Sequence, residues 1–376
     1  MRKVCYISGT RADFGLMRST LTAIRDHAEL ELSIIVTGMH LSPEHGDTVR
    51  EIEAANLSIA AKVPVPLTPA TGATMARNIG AMTTAFTDAL EREQPDIVLL
   101  LGDRGEMLAG AIAGLHLNIP VAHIHGGERS GTVDEPVRHA ISKLSHLHST
   151  ATEASRERLI RMGEAATNIH VTGAPGLDGL NDTPIGDRLT VASQHGLNSD
   201  EPFALMVYHP VLQEADSAGS DARAILDALH KTGVQVLALM PNADGGSEAV
   251  RQVLTKAHGQ KGVTVRTHLA RPDFIAAMAH ADLMIGNSSA GIIEAASFGT
   301  PVINVGRRQN LRERNANVCD VSAEHVVLAE AITAALAQGR FPVKNLYGDG
   351  HTAERIADLL ATTPLDAALM MKVNGY

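Results

Sequence analysis

The chain is short of cysteine, of basic charge and of unbroken apolar sequence, and each shortage removes a class of protein. Two cysteines in 376 residues, Cys5 and Cys319, are too few for a disulfide scaffold, and both sit in apolar, strand-like runs that predict buried thiols. No window approaches the roughly 18 to 20 apolar residues of a membrane span. The apolar part of the opening MRKVCYISGTRAD is far too short for a secretory leader, so the chain reads as cytoplasmic. Basic residues number 32 against 42 acidic ones, a net charge of −10. Nucleic acid and anionic membrane are thereby excluded as main partners, because polyanion binding needs a basic surface. A GxGxxG dinucleotide fingerprint is missing too, so no NAD is inferred.

What is present fits a soluble globular protein: 44% apolar and 20% charged residues, in a chain longer than one core usually serves. Two domains are the expectation. Short apolar runs recur, each ending in polar or glycine-rich residues and followed by a helical pattern. In the first half they are 3–8, 32–38, 96–103, 120–127 and 169–175, with helices at 74–93, 106–117, 134–147 and 153–162. In the second half they are 203–210, 234–241, 263–269, 282–289 and 301–306, with helices at 221–231, 246–258, 271–280, 289–298 and 323–337. Strand and helix alternating at this spacing predict an α/β protein with two Rossmann-like, doubly wound domains facing across a cleft. The polar stretch 178–200 marks the junction, giving domains 1–180 and 181–350 and a C-terminal helix and tail over 351–376.

Ligands of open α/β sheets bind beyond the carboxyl ends of the strands, and the unusual residues of this chain fall there. SGTRADFG (8–15) offers Arg11 and backbone N–H groups to an anion, or else forms an exposed turn with an Arg11–Asp13 ion pair. LGDRGE (101–106) places Asp103, a helix-cap candidate, beside Arg104 and Glu106. In HIHGGERSGTVDEP (123–136), His123 and His125 alternate with Ile124 and point to one side of a strand; Glu128 follows, and Asp134 and Glu135 begin a helix. A zinc cradle of His123, His125, Asp103 and Asp134 is an alternative, but no histidine- or cysteine-rich motif recurs in the second half, and no metal is assigned. There, YHP supplies His209, and PNADGGS supplies Asn242 and Asp244. GNSSAGIIEAASFG (286–299) leads Gly286, Ser288 and Ser289 into a helix that suits a diphosphate, with Glu294 beyond for the hydroxyls of a ribose. Arg307, Arg308, Arg312 and Arg314 form a local basic patch.

Taken in order, GTRADFG (9–15), VTGMHLS (36–42), GDRGE (102–106), the stretch 123–148, HP (209–210), PNADGGS (241–247), IGNSSAGIIEA (285–295), GTPVINVGRRQ (299–309) and YGDG (347–350) resemble the hydrolysing UDP-N-acetylglucosamine 2-epimerases of bacterial sialic acid and legionaminic acid synthesis. The resemblance spans nearly the whole chain. It implies a glycosyltransferase-B-type architecture, the nucleotide held mainly by the second domain, and a C-terminal helix, 351–361, crossing back to the first. The implied reaction takes a UDP-linked 2-acetamido sugar and water to the nucleoside diphosphate and the free manno-configured sugar, by elimination to a glycal and hydration, without a cofactor. Whether the sugar is N-acetylglucosamine or a 2,4-diacetamido-trideoxyhexose, on UDP or GDP, stays open. The resemblance places Asp103 and Asp134 in acid/base work and His209 at the diphosphate. It gives UDP contacts to Ser288, Ser289, Glu294, Arg308 and Arg11, sets Asn242 and Asp244 near the nucleotide-sugar, and implies a homodimer. One departure matters: several members have a glutamate, regarded as catalytic, at the position of His125. The base is therefore open between His125, whose neutral imidazole can accept a proton, and Glu128. A non-hydrolysing epimerase, a glycosyltransferase, a metal-dependent hydrolase and a silent nucleotide-sugar sensor are the other readings.

Overall fold

The computed structural model describes residues 1–130, 133–180, 182–260 and 262–375, so Gly131 and Thr132 of the HIHGGERSGTVDEP stretch lie outside the described residues. The first lobe runs β1 (Arg2–Ser8), α1 (Arg11–Asp26), β2 (Leu30–Thr37), α2 (Val49–Ala54), β3 (Ile59–Val63), α3 (Gly72–Glu93), β4 (Ile97–Leu101), α4 (Gly105–His116), β5 (Val121–Ile124), α5 (Asp134–Leu144), β6 (Leu147–Thr150), α6 (Glu153–Arg161) and β7 (Ile169–Val171). The second runs α7 (Arg188–Gln194), β8 (Phe203–Val207), α8 (Ala218–Lys231), β9 (Gln235–Leu239), α9 (Ser247–Ala257), β10 (Val263–Arg266), α10 (Arg271–His280), β11 (Leu283–Gly286), α11 (Ser289–Ile293), β12 (Val302–Val305), β13 (Val318–Val321) and α12 (His325–Gln338). The chain ends in α13 (Thr352–Thr362) and α14 (Ala367–Met370).

Two parallel sheets result, ordered β3-β2-β1-β4-β5-β6-β7 and β10-β9-β8-β11-β12-β13. The period-2 alternation of β1 shows why its sequence is apolar from Val4 to Ile7. Val4 and Tyr6 join Phe14, Met17 and Leu21 of α1 on one face, while Cys5 and Ile7 join Phe86 of α3 and Met107 of α4 on the other. Ile356, Ala357 and Leu360 of α13 belong to the first of these clusters, so the last long helix packs on the first lobe. Thr10 and Asp13 start α1 as a reciprocal capping box.

Several local expectations are corrected. Cys5 is buried, but Cys319 is exposed because β13 is an edge strand with only one covered face. β3 and β6 were not foreseen, β13 was read only as the strand-like run around Cys319, and the helix expected over 134–147 stops at Leu144, where Ser145 turns extended (φ −95°, ψ 154°) and leads into β6. The junction carries a helix, α7, capped by Asp187. The helix expected over 289–298 breaks into the five residues of α11 and a separate 3₁₀ turn, Ala295–Phe298.

Candidate active site

The carboxyl ends of both sheets face one cavity of about 270 Å³. From the first lobe, Arg11, Asp103, Arg104, His125 and Asp134 line it; from the second, His209, Asn242, Ser288, Ser289, Glu294 and Arg308. Glu128, Asp244 and Gly286, also given a catalytic or binding part, do not. Glu128 is buried behind His125, Asp244 lines a smaller adjoining pocket with Asp134 and Arg308, and Gly286 serves the backbone. At Gly286 φ is 130°, and a Cβ would stand 2.2 Å from Val207 O, so only glycine lets β11 lie this close to β8.

On the first wall, Asp103 does not cap α4; Arg104 holds the cap position, without a side-chain cap bond. Asp103 instead accepts from Arg138, whose side chain is 1% exposed and which also donates to Glu128 O (3.3 Å). The expected Arg11–Asp13 pair is absent, because Asp13 takes Gly9 N (3.0 Å), Thr10 N (2.6 Å) and Tyr6 Oη (3.2 Å). Arg11 crosses to His268, which meets Glu51. Burial lowers the pKa of Arg11 to about 10, against the opposing pull of Glu51. The two histidines of the HIH stretch part company. β5 ends at Ile124 and His125 is left-handed (φ 65°), so the strand alternation stops before it. His123 is fully buried, its Nε2 donating to Gly102 O (2.7 Å) and its Nδ1 3.1 Å from Ser142 Oγ. Burial drives its pKa down to about 3, so it sits neutral inside the lobe while His125 faces the cavity.

On the second wall, Asn287 fixes His209 from both sides: its Oδ1 accepts from His209 N (2.7 Å) and its Nδ2 donates to His209 O (2.8 Å). His209 Nδ1 accepts from Asn242 N (3.3 Å), so Nε2 carries the proton of the neutral ring. Burial, then the nearby Arg308, lowers its pKa to about 3. His209 is thus a neutral hydrogen-bond donor that lines the cavity. Arg308 donates to Asn287 O (3.1 Å) and Ser288 caps α11 through Ala290 N (3.3 Å). Glu294, 2% exposed, pairs with Arg271, which also donates to Gly176 O of the first lobe (2.7 Å).

The comparisons with known proteins bear on this geometry. Residues 22–361 match the family model described as UDP-N-acetylglucosamine 2-epimerase. A Legionella pneumophila protein, UDP-N,N'-diacetylbacillosamine 2-epimerase (hydrolyzing), is 49% identical over the whole of both chains. The chain belongs to the UDP-N-acetylglucosamine 2-epimerase family. A Neisseria meningitidis UDP-N-acetylglucosamine 2-epimerase is 35% identical over 96% of this chain and 95% of that protein. The crystal structure of UDP-GlcNAc 2-epimerase from Neisseria meningitidis bound to UDP-GlcNAc superimposes with a TM-score of 0.79 at 20% identity, covering 96% of this chain and all of the other, which shows the two-lobed glycosyltransferase-B-type fold.

In this family member, charge pairs join the lobes across the cavity. Arg104 NH2 lies 3.3 Å from Asp244 Oδ1, Arg308 NH2 3.9 Å from Asp134 Oδ2, and Arg312 NH1 3.0 Å from Glu128 Oε2. Burial opposes the charge on Arg104, but Glu106 and Asp244 outweigh it and hold its pKa above the ordinary value. Of the basic patch, Arg307 pairs with Glu214 and Arg314 with Asp320 at the surface, while Arg308 and Arg312 enter the cavity. Sequence reasoning missed Arg138, Asn287, His268 and Arg271. Arg138 was findable, since it lies four residues from Asp134 on α5 and so shares its face. His268 follows the end of β10 just as His209 follows β8. Nothing marked Asn287 as the residue that clamps His209.

Proposed function

We propose that the protein is a hydrolysing 2-epimerase that converts UDP-N,N'-diacetylbacillosamine and water to UDP and the free 2,4-diacetamido sugar of manno configuration. One observation carries the reading: cations and hydroxyls of the second lobe and proton-carrying groups of the first line the same cavity. The full-length 49% match to the Legionella enzyme supports the diacetamido sugar. UDP-N-acetylglucosamine is the second reading, supported by the Neisseria relative.

The C2 proton of such a sugar is not beside a carbonyl and is barely acidic, so the reaction needs charge developing elsewhere. His125 takes the C2 proton while the C1–O bond to the diphosphate breaks, leaving a glycal with a C1–C2 double bond. Arg308, Arg11 and Arg104 meet the charge on the departing diphosphate, and His209 donates a hydrogen bond from Nε2. Ser288, Ser289 and Glu294 hold the nucleotide. The protonated carboxyl of Asp103 or Asp134 then gives its proton to C2 from the opposite face, and water adds at C1 and passes a proton back to that carboxylate, completing inversion at C2. Asn242 and Asp244 support the nucleotide-sugar from the second lobe. A homodimer in the cytoplasm is part of the same proposal, tested by sedimentation and fractionation.

The experiment is incubation in deuterated water with each UDP-sugar, followed by NMR. Free sugar with deuterium at C2 and release of UDP are expected, with a higher kcat/KM for the diacetamido substrate. Product still linked to UDP would identify a non-hydrolysing enzyme, and no turnover of either sugar would end the proposal.

A further inference from the structure

Glu128 is an oddly expensive residue: a carboxylate 3% exposed that does not reach the cavity, with a partner on each oxygen. Its Oε1 meets His125 Nδ1, and its Oε2 lies 3.0 Å from Arg312 NH1. His125 and Arg312 both line the cavity, one from each lobe. We propose that Glu128 is a positioning residue that fixes His125 as the base at the sugar, and that Arg312, delivered by the opposite lobe, completes the relay. This rests on the reading of His125 as proton acceptor given above.

The local backbone is shaped for it. His125 is left-handed (φ 65°), and Gly127 (φ 76°) packs so tightly that a Cβ there would stand 2.3 Å from Ser155 O. The chain thereby doubles back within three residues and brings the Glu128 carboxylate to the ring it follows. On the other lobe Leu311 is also left-handed (φ 69°), an uncommon state for a bulky apolar residue, immediately before Arg312. Unusual backbone therefore flanks the relay at both ends.

The charges settle the proton's place on the ring. Burial disfavours the ionised Glu128, but Arg312 and then His125 outweigh it and hold the acid at about 2. Around the group stand His123, Arg138 on the Glu128 carbonyl, Arg158 on Gly127 O, and Tyr347, whose hydroxyl is pushed well above its ordinary value by burial and by Glu128. Glu128 is thus a carboxylate at any working pH, and a carboxylate only accepts. In the neutral ring Nδ1 of His125 must then carry the hydrogen, which leaves the Nε2 lone pair as the basic site. Arg312 neutralises the second oxygen as an ion pair and not through a hydrogen bond, since among the described residues Glu128 Oε2 and Arg312 NH1 and Nε are buried without a hydrogen-bond partner.

Two measurements test this, one without turnover. NMR of protein labelled with ¹⁵N-histidine, the His125 signal identified by its loss in His125→Gln, should show the Nδ1–H tautomer in the wild type and its loss in Glu128→Gln. An Nε2–H tautomer in the wild type overturns the proposal, whether or not the substrate reading holds. In kinetics, Glu128→Gln should lower kcat by at least ~10-fold with KM and UDP affinity unchanged, and move the acid limb of kcat/KM to lower pH. Arg312→Gln should lower kcat while keeping the Nδ1–H tautomer. The double variant should be no worse than Glu128→Gln alone within about threefold, as expected of groups acting in one unit. A wild-type kcat in either single variant, or equal losses of kcat and UDP affinity with an unmoved pH profile in Glu128→Gln, would overturn it. Should Glu128→Gln fail to fold, as judged by circular dichroism and loss of a cooperative thermal melt, Arg312→Gln and the wild-type tautomer decide.

Discussion

Single residues in this cleft are held by partners that sequence spacing only partly reveals. Asp103 was read as a cap or an acid, and its real neighbour is the buried Arg138 of α5. Replacing Arg138 by Met strands that carboxylate. The expected loss is about 2–3 kcal/mol in urea unfolding, below that of a fully buried pair because Asp103 keeps 21% of its side-chain exposure. Asp103→Asn keeps the shape and removes the charge, so kcat should fall roughly 10²-fold while calorimetry still finds UDP bound. Arg308→Ala should behave the other way, weakening UDP first. If both variants lost UDP affinity equally, the division of labour between the lobes would be wrong. At this scale the sequence displayed the residue types and their position at strand ends, which is why Arg11, His125, His209 and Ser288 could be named. It did not display partners distant in the chain, and Arg138, Asn287 and His268 owe their importance to those.

Among elements, the strands legible in the sequence are those buried on both faces, such as β1 and β4, whose runs are apolar without interruption. β6 reads LHST and was overlooked because its polar residues are satisfied inside the fold: His148 Nε2 lies 3.0 Å from Glu164, and Ser149 is bonded to Thr172. β3 and β13 are edge strands, and an edge needs fewer apolar residues. Turns are where elements are aimed, and two glycines make opposite predictions. Gly127→Ala should cost about 1–3 kcal/mol, since φ is positive and Ser155 O occupies the space. Gly80→Ala, inside α3 with nothing within 4 Å of the new methyl, should add about 0.5–1 kcal/mol. Thermal melts of the two variants should therefore move to either side of the wild type.

For the molecule as a whole, buried titratable groups predict acid lability of a definite shape. Burial lowers His123 and His209 to about 3 and His45 and His146 to about 4, all from 6.5. The unfolded chain binds more protons than the folded one between those values, so stability falls as pH drops below about 6.5. Glu128 and Glu164, each held at about 2, the latter by His148, Lys143 and Lys372 against the cost of burial, add a second loss as pH falls from about 4.5 towards 2. The melting temperature should be steady from pH 8 to 7 and decline progressively below. A higher value at pH 5 than at pH 7.5 would contradict this. The two-sheet plan and the cleft between its halves were legible from strand spacing, whereas the pairs that join the lobes across that cleft were not, because they depend on carboxylates and guanidiniums far apart in the chain.

The pairs Arg104–Asp244 and Arg308–Asp134 give the cleft a further property. Its guanidiniums already have anions, so an arriving diphosphate takes part in an exchange reaction in which internal carboxylates are the competitors. A nucleoside diphosphate, with several charges and a base and ribose to anchor them, is expected to displace those carboxylates better than inorganic phosphate does, and calorimetry with each anion should show the difference.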